Sequence, residues 1–366
     1  MVTVKVEGVT KRYGEVEALR DVSLEVDSGK LVCILGPSGS GKTTLLRIIA
    51  GLIMPDEGRV LFDDEDITYL PPYKRNVGFV FQRIALFPHM SVFDNVAFGL
   101  KIRRLPKSEV KRRVREALEL VGLKGYEGRR ATQLSGGEAQ RVAIARALVI
   151  DPKVLLMDEP LSNVDAKLRD RLKYEIRRLQ KITGKTAIYV THDQNVAFAI
   201  ADYIYVVDKG RIVQSGTPIE LYLKPASPFI ADFIGTTNFV RGRVSRRGEE
   251  AFDVVVSAGG LEIMAQGVED VELGTDVVVS VRPEDITMVE GDKVNELRGK
   301  YLNVVRGKVV RKTFIGPYLR AEVDVGLEEP LKVDVYGEER FKYLNLKEGC
   351  EVTLGFNRAT VIRGSV

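Results

Sequence analysis

Gly36-Pro37-Ser38-Gly39-Ser40-Gly41-Lys42-Thr43 fits G-x-x-x-x-G-K-[ST] without a mismatch. Such a loop is built to hold phosphate. Gly36, Gly39 and Gly41 let the backbone adopt positive φ and turn its N–H groups toward an anion. Lys42 supplies a point charge for β- and γ-phosphates, and Thr43 offers a hydroxyl to Mg²⁺. The flanks agree. Leu31–Leu35 is an unbroken apolar run of the kind found in buried parallel strands. Thr44–Ala50 reads as a helix closed by Gly51, with its N-terminus facing the phosphates. The predicted phosphate-contacting set is therefore Gly36, Pro37, Ser38, Gly39, Ser40, Gly41, Lys42, Thr43 and Thr44.

Outward from this loop, Val2–Val6, Ser23–Val26 and Arg59–Phe62 read as strands. Pro106-Lys107-Ser108 looks like a helix start with Ser108 as N-cap. Val110, Val114, Ala117, Leu118 and Val121 then form one apolar face. The charged face opposite lacks interleaved aromatics, so it reads as solvated rather than as a nucleic-acid surface. From residue 150 the pattern becomes strand, helix, strand: Val154–Met157, Leu168–Lys181 and Ala187–Thr191. Tyr203–Val207 and Arg211–Gln214 form a hairpin about Asp208-Lys209-Gly210. Alternating strands and helices around a phosphate loop argue for an α/β sheet that binds its ligand at the carboxyl ends of the strands. Beyond Gly235 the pieces are short and β-rich: Asp276–Arg282, Leu302–Lys312, Arg320–Val325 and Glu351–Phe356. They predict a separate all-β domain of barrel or sandwich type.

The bulk numbers are compatible with this division. A chain of 366 residues has room for two or three cores. A formal net charge of +4 is too small to argue for nucleic acid. Cys33 and Cys350 lie far apart and read as reduced thiols of a cytosolic protein. No signal peptide is visible, and no apolar run approaches the ~20 residues of a membrane helix. Work at a membrane would need a partner.

Two further segments carry chemistry. Val154–Glu159 ends an apolar strand in two carboxylates. Beside a phosphate loop, Asp158 is placed to hold Mg²⁺ through water, and Glu159 to polarise an attacking water. In Gln-Leu-Ser-Gly-Gly-Glu, residues 133–138, Ser135 and Glu138 form a capping box for a helix over Ala139–Val149. Gly136 and Gly137 are poor helix formers, which makes sense if something approaches the backbone closely. That helix N-terminus is a second anion site.

These three segments together resemble the ATP-binding subunits of ABC transporters, over residues 1 to about 235. The resemblance implies an α/β P-loop NTPase, the ABC ATPase cassette, with a helical subdomain at about 88–150. Residues 236–366 are similar to the C-terminal β-barrel-like, OB-type domain of importer subunits, notably at Val281-Arg282-Pro283-Glu284-Asp285. Further roles rest only on the resemblance. Tyr13 would stack on adenine. Gln82 would contact Mg²⁺ and link the site to membrane subunits. Ser162-Asn163-Val164-Asp165 is similar to the loop where two subunits meet. His192 would touch the γ-phosphate. Ser135, Gly136, Gly137 and Asp165 would complete a nucleotide site across a dimer. The loop Leu86–Met90 would face the permease, and His89 within it is not assigned a catalytic role. Departures are Glu138-Ala139-Gln140 after the signature, Val164 for leucine, and Asn195-Val196 where an acidic residue is usual. None removes a catalytic group.

The implied protein is an ATPase with catalytic Glu159, His192 and Lys42, taking ATP and Mg²⁺, with Thr43, Gln82 and Asp158 toward the metal. It would pair with a second ATPase subunit, most simply as a homodimer. Its site would be the cytoplasmic face of the membrane, against transmembrane permease subunits and indirectly a solute-binding protein. Its cargo would be a small polar solute, either a sugar or a polyamine or ferric-type load. The rival reading is a soluble ABC ATPase acting on nucleic acid or ribosomes. A single cassette and no heptad run count against it.

Overall fold

The computed structural model describes residues 2–162, 164–249, 252–267 and 271–362. It divides into two units, Met1–Ile219 and Glu220–Val366.

In the first unit β1 (Val4–Tyr13), β2 (Val16–Val26), β4 (Glu57–Phe62) and β5 (Glu65–Asp66) form an antiparallel sheet in the order β2-β1-β4-β5. A second sheet contains β3 (Leu31–Leu35), β6 (Val77–Val80), β7 (Val154–Asp158), β8 (Thr186–Thr191), β9 (Tyr203–Asp208) and β10 (Arg211–Gly216). Its order is β10-β9-β3-β8-β7-β6. All its pairs are parallel except the β9–β10 hairpin. Parallel neighbours bring their carboxyl ends to one edge, so β3, β8, β7 and β6 deliver four chain ends side by side. The runs Leu31–Leu35 and Val154–Asp158 are buried at every position, as strands covered on both faces require.

Helix α1 (Lys42–Ala50) fills the space between the two sheets. Leu45, Leu46, Ile48 and Ile49 are fully buried in one cluster with Val4, Val6, Ile34 and Val190. Gly51 closes the helix at φ 77, and its N–H donates to the Ile48 carbonyl at 3.0 Å. The buried carbonyls of this last turn meet Arg75, at the end of the short helix α2 (Pro72–Arg75). Arg75 is 2% exposed and donates to the carbonyls of Ile48, Ile49, Leu70 and Thr68 at 2.6–2.9 Å. A cation at a helix C-terminus also meets the favourable end of the dipole.

Helices α3 (Val92–Ile102), α4 (Lys107–Leu120) and α5 (Gly136–Leu148) pack on one another. Ser91 caps α3 by accepting from the Asp94 N–H at 3.0 Å. The expected cap at Ser108 is corrected: Pro106 is the N-cap of α4, without a side-chain bond, and Ser108 lies inside the first turn. Proline fixes φ and needs no N–H there, so the helix starts directly after it. Two helices complete the first unit. These are α6 (Ala166–Thr183) and α7 (Gln194–Ile200).

The second unit begins within α8 (Pro218–Leu223) and continues through α9 (Pro228–Ile234) into two antiparallel sheets. The first holds β11 (Asn238–Glu249), β12 (Phe252–Ala258), β13 (Leu261–Ala265), β14 (Asp276–Val281) and β20 (Thr360–Ile362). The other holds β15 (Thr287–Glu290), β16 (Asn303–Phe314), β17 (Tyr318–Asp324), β18 (Leu331–Tyr336) and β19 (Glu351–Phe356). Both contribute to one buried cluster, including Val240, Val256, Val279, Val309, Val323 and Leu354. Asn303 joins the sheets by accepting from the Met264 N–H at 2.8 Å and donating to its carbonyl at 3.0 Å. The expected boundary at 235 assigned α9 to the first domain, whereas contacts group it with the β unit. Arg282, 6% exposed, is the reason: it lies just past β14 and donates to the carbonyls of Ala231, Gly235 and Thr236. Among the described residues no helix is long and apolar enough to cross a membrane.

Candidate functional site

The loop 36–43 leaves β3 in the middle of the parallel sheet and opens α1. Its glycines are needed for different reasons. A Cβ on Gly36 would stand 2.1 Å from the Val207 carbonyl oxygen. Gly41 combines φ 102 with a Cβ position 2.3 Å from the Ala18 carbonyl oxygen, so only glycine fits there. Gly41 is also the N-cap of α1, with no side-chain cap. The amides of that first turn, Thr43 and Thr44 among them, are thus left for an anion. Ser40 is buried and its N–H donates to the Pro37 carbonyl at 3.3 Å, while Ser38 and Gly39 are exposed.

Lys42 is 4% exposed, and its Nζ donates to the carbonyls of Gly36 at 2.9 Å and Pro37 at 2.7 Å. Burial pushes its amine below the ordinary lysine range, against the attraction of Glu159 and Asp158. A polyphosphate would reverse that penalty. Thr43 Oγ1 donates to Asp158 Oδ1 at 2.8 Å. Asp158 is 2% exposed, and burial raises its carboxyl while the Thr43 bond opposes the rise.

Glu159 sits one residue past β7 at φ 42, an uncommon conformation for a residue with a Cβ. Its N–H donates to the Val190 carbonyl at 3.0 Å, which fixes the turn against β8. Gln82 Nε2, past the end of β6, donates to Glu159 Oε2 at 3.1 Å. His192 Nδ1, past the end of β8, lies 3.1 Å from Glu159 Oε1. A donating Nδ1–H fixes the ring and directs Nε2 away from Glu159. Gln82, Glu159 and His192 are thus brought together from three adjacent strands, with Thr43 and Asp158 next along the same edge.

The remaining expected residues lie further from this cluster in the chain. Tyr13 is about half exposed at the tip of the β1–β2 hairpin, the hairpin whose Ala18 abuts Gly41. Ser135 caps α5, accepting from the Glu138 N–H at 3.4 Å while its own N–H donates to Glu138 Oε2 at 2.8 Å. A Cβ on Gly136 would meet nothing within 4 Å, whereas one on Gly137 would lie 2.7 Å from Leu168. Asp165 caps α6, accepting from the Leu168 N–H at 3.0 Å. Asn163, in the expected subunit-contact loop, lies outside the described residues. Arg169 carries no signal in the sequence. One arginine in the strongly basic α6 looks like solvated charge until its partners are seen.

Mg²⁺ sites commonly use one or two carboxylates, waters and substrate phosphates. Thr43 and Asp158 supply hard oxygen donors on the phosphate-loop edge, and Gln82 a third side-chain oxygen close by. That donor chemistry fits the ion. Among the described residues no cluster of three or more His, Cys, Asp or Glu suggests a different metal. In the second unit, Arg241, Arg243 and Arg246 pair with Glu328, Asp276 and Glu262. These three arginines are therefore offset by carboxylates.

Residues 19–162 match the family model described as ABC transporter, and residues 279–362 match that of the TOBE domain. The chain is 45% identical over 308 residues to the spermidine/putrescine import ATP-binding protein PotA of Acetivibrio thermocellus, covering 83% of this chain and 84% of that protein. Among solved structures it is similar to cbiO1 from Clostridium perfringens, part of the ABC transporter complex cbiONQ. The identity is 33%, the TM-score 0.57, and the match covers 60% of this chain and 90% of that one. It is also similar to the dimeric bacterial ABC transporter cassette MJ0796, with 35% identity, a TM-score of 0.53, and coverage of 59% and 98%. The same cassette in a post-hydrolysis state bound to ADP and Pi matches equally well, at a TM-score of 0.53.

Proposed function

This chain belongs to the ABC transporter family as the ATP-hydrolysing subunit of an importer, and from that premise we propose how its residues divide the work. The observation that carries the assignment is the convergence of Gln82, Glu159 and His192 beside the Thr43–Asp158 pair.

Two copies of the chain enclose ATP between the phosphate loop of one and Ser135-Gly136-Gly137 of the other. Lys42 exchanges the Gly36 and Pro37 carbonyls for phosphate oxygens, and Tyr13 lies against the base. Glu159 takes the proton of the attacking water, held by Gln82 on one oxygen and His192 on the other. Lys42, the α1 amides and His192 Nε2 stabilise charge gathering on the γ-phosphate. Asp165 borders the nucleotide from the facing chain. Thr43, Asp158 and Gln82 would hold Mg²⁺, which when bound neutralises charge on the β- and γ-phosphates. The subunit works at the cytoplasmic face of the membrane. The loop from Gln82 to His89 passes dimer closure to separate permease subunits, which receive solute from a binding protein. Likeness to a spermidine/putrescine importer over most of both chains supports a polyamine cargo rather than a sugar.

The test is Glu159→Gln. The amide keeps the side chain's shape and loses its basicity. Hydrolysis should fall at least ~100-fold while ATP-dependent dimers, read by size-exclusion chromatography with light scattering, persist. Phosphate release at the wild-type rate would show the base to be assigned wrongly.

A further inference from the structure

We infer that Arg169 is a positioning residue that couples the segment 162–165 to the turn carrying His192. The inference rests on the roles given above to that segment and to His192.

Arg169 lies in the first turn of α6, just past the cap Asp165. Its Nη2 donates to the Val164 carbonyl at 3.0 Å, and its Nη1 lies 3.4 Å from Asp193 Oδ2. One planar cation therefore spans two loops from different parts of the sequence. Asp193 is well fixed at its end. Its Oδ1 accepts from the Val196 N–H at 3.2 Å, and its own N–H donates to Thr191 Oγ1 at 2.9 Å. A pull on Asp193 thus moves the turn between β8 and α7, and His192 with it. Val164 is 7% exposed, so its stretch of chain is anchored as well.

The space around this link is a small, partly open pocket. Glu159, Ser162, Arg169, Tyr189, His192 and Asp193 border a cavity of about 40 Å³. Arg169 Nε and Ser162 Oγ are buried without a hydrogen-bond partner among the described residues. The cavity has the size and polarity to take a water that would serve both atoms. Such a site behind Glu159 lets the arginine shift without a collapse of close packing. When a second chain engages segment 162–165, the Val164 carbonyl moves, Arg169 moves with it, and His192 is set against the γ-phosphate. A lysine has one nitrogen where the guanidinium has a fork, so it holds one loop or the other.

The experiment uses the full chain and compares R169M, R169K, H192A and the double variant R169M/H192A. The readouts are kcat and KM for ATP hydrolysis and the melting temperature. R169M should lower kcat about 10-fold or more and leave KM within about 3-fold, the pattern of a lost transition-state contact. The double variant should be no slower than H192A alone, because Arg169 acts through His192. R169K should recover less than about a third of the lost rate, and it serves as the main probe if R169M folds poorly. A wild-type kcat for R169M or R169K, or a double variant slowed by the product of the single effects, overturns the inference. A wild-type rate for H192A would overturn the assignment of His192 as well, which separates the two failures.

Discussion

Gly136→Ala separates folding from function. Gly136 is the first residue of α5 and lies outside the positive-φ region, and a Cβ added to it would have nothing of its own chain within 4 Å. Within one chain, alanine should therefore be tolerated and should gain about 0.5 kcal/mol from reduced backbone freedom. For the first unit that is a rise of roughly 1–2 °C in melting temperature. In the proposed dimer the same methyl group enters the space where the Gly136 amide meets phosphate. Overpacking a close contact costs about 1–3 kcal/mol. Borne by the transition state alone, that is a loss of about 5- to 150-fold in kcat/KM. Differential scanning calorimetry and a phosphate-release assay on one preparation read both effects. Gly137→Ala is the contrasting control: its methyl group meets Leu168 at 2.7 Å inside the chain, so stability should fall together with activity. A G136A protein that melts no lower than wild type and turns over ATP at the wild-type rate would refute the placement of a second chain's nucleotide on Gly136.

Arg75→Met keeps much of the side chain's bulk but removes the guanidinium donors from the carbonyls of Ile49, Leu70 and Thr68, and leaves Ile48 with the Gly51 N–H. The loss should be about 3 kcal/mol or more, or roughly 6–12 °C in melting temperature, and a drop under ~2 °C would contradict it. Burial pulls the Arg75 guanidinium down to about 10, so it stays charged at neutral pH and the effect should be flat from pH 6 to 8. Asp202 predicts an acid-sensitive contribution. Burial pushes its carboxyl up, but the Arg177 fork and the Leu31 N–H outweigh that and bring it down to about 2. A carboxylate depressed in the folded state stabilises fully above its unfolded value near 3.8 and loses that contribution as pH falls through about 2. The melting-temperature gap between wild type and Asp202→Asn should therefore close between pH 4 and pH 2. A gap that is unchanged across that window would assign the pair no electrostatic role.

How much of the site was legible depended on whether its chemistry was local. The phosphate loop, its strand and its helix lie within residues 31–51, and their spacing sets the helix start, the charge and the positive φ of Gly39 and Gly41. Gly36, expected at positive φ as well, lies outside that region and is required instead by the nearby Val207 carbonyl. The capping box at Ser135 and Glu138 is local in the same sense, and it forms as expected. Glu159 was legible as a carboxylate beside the phosphate loop, whereas Gln82 and His192 could be assigned only through resemblance. Each is an ordinary residue at the end of a strand until the strand order is known. The parallel order β3-β8-β7-β6 sets neighbouring ends about 4.8 Å apart, and that brings the three side chains into contact. The cap at Ser108 failed because Pro106 already met the local requirement at the helix start. Contacts divide the chain at Ile219 rather than at the expected 235, and buried Arg282 ties α9 to the β unit.

By itself the sequence determined that the chain holds a polyphosphate on a strand-loop-helix unit and carries a β-rich tail. These are consequences of backbone freedom and hydrophobic period, which act over a few residues. Tertiary structure alone decided that Glu159 is held between Gln82 and His192, that Arg75 closes α1, and that Arg169 bridges Val164 and Asp193. In each case a polar group far away in sequence satisfies a donor or acceptor that burial would otherwise leave unpaired, and only the packed sheet determines which group is near enough.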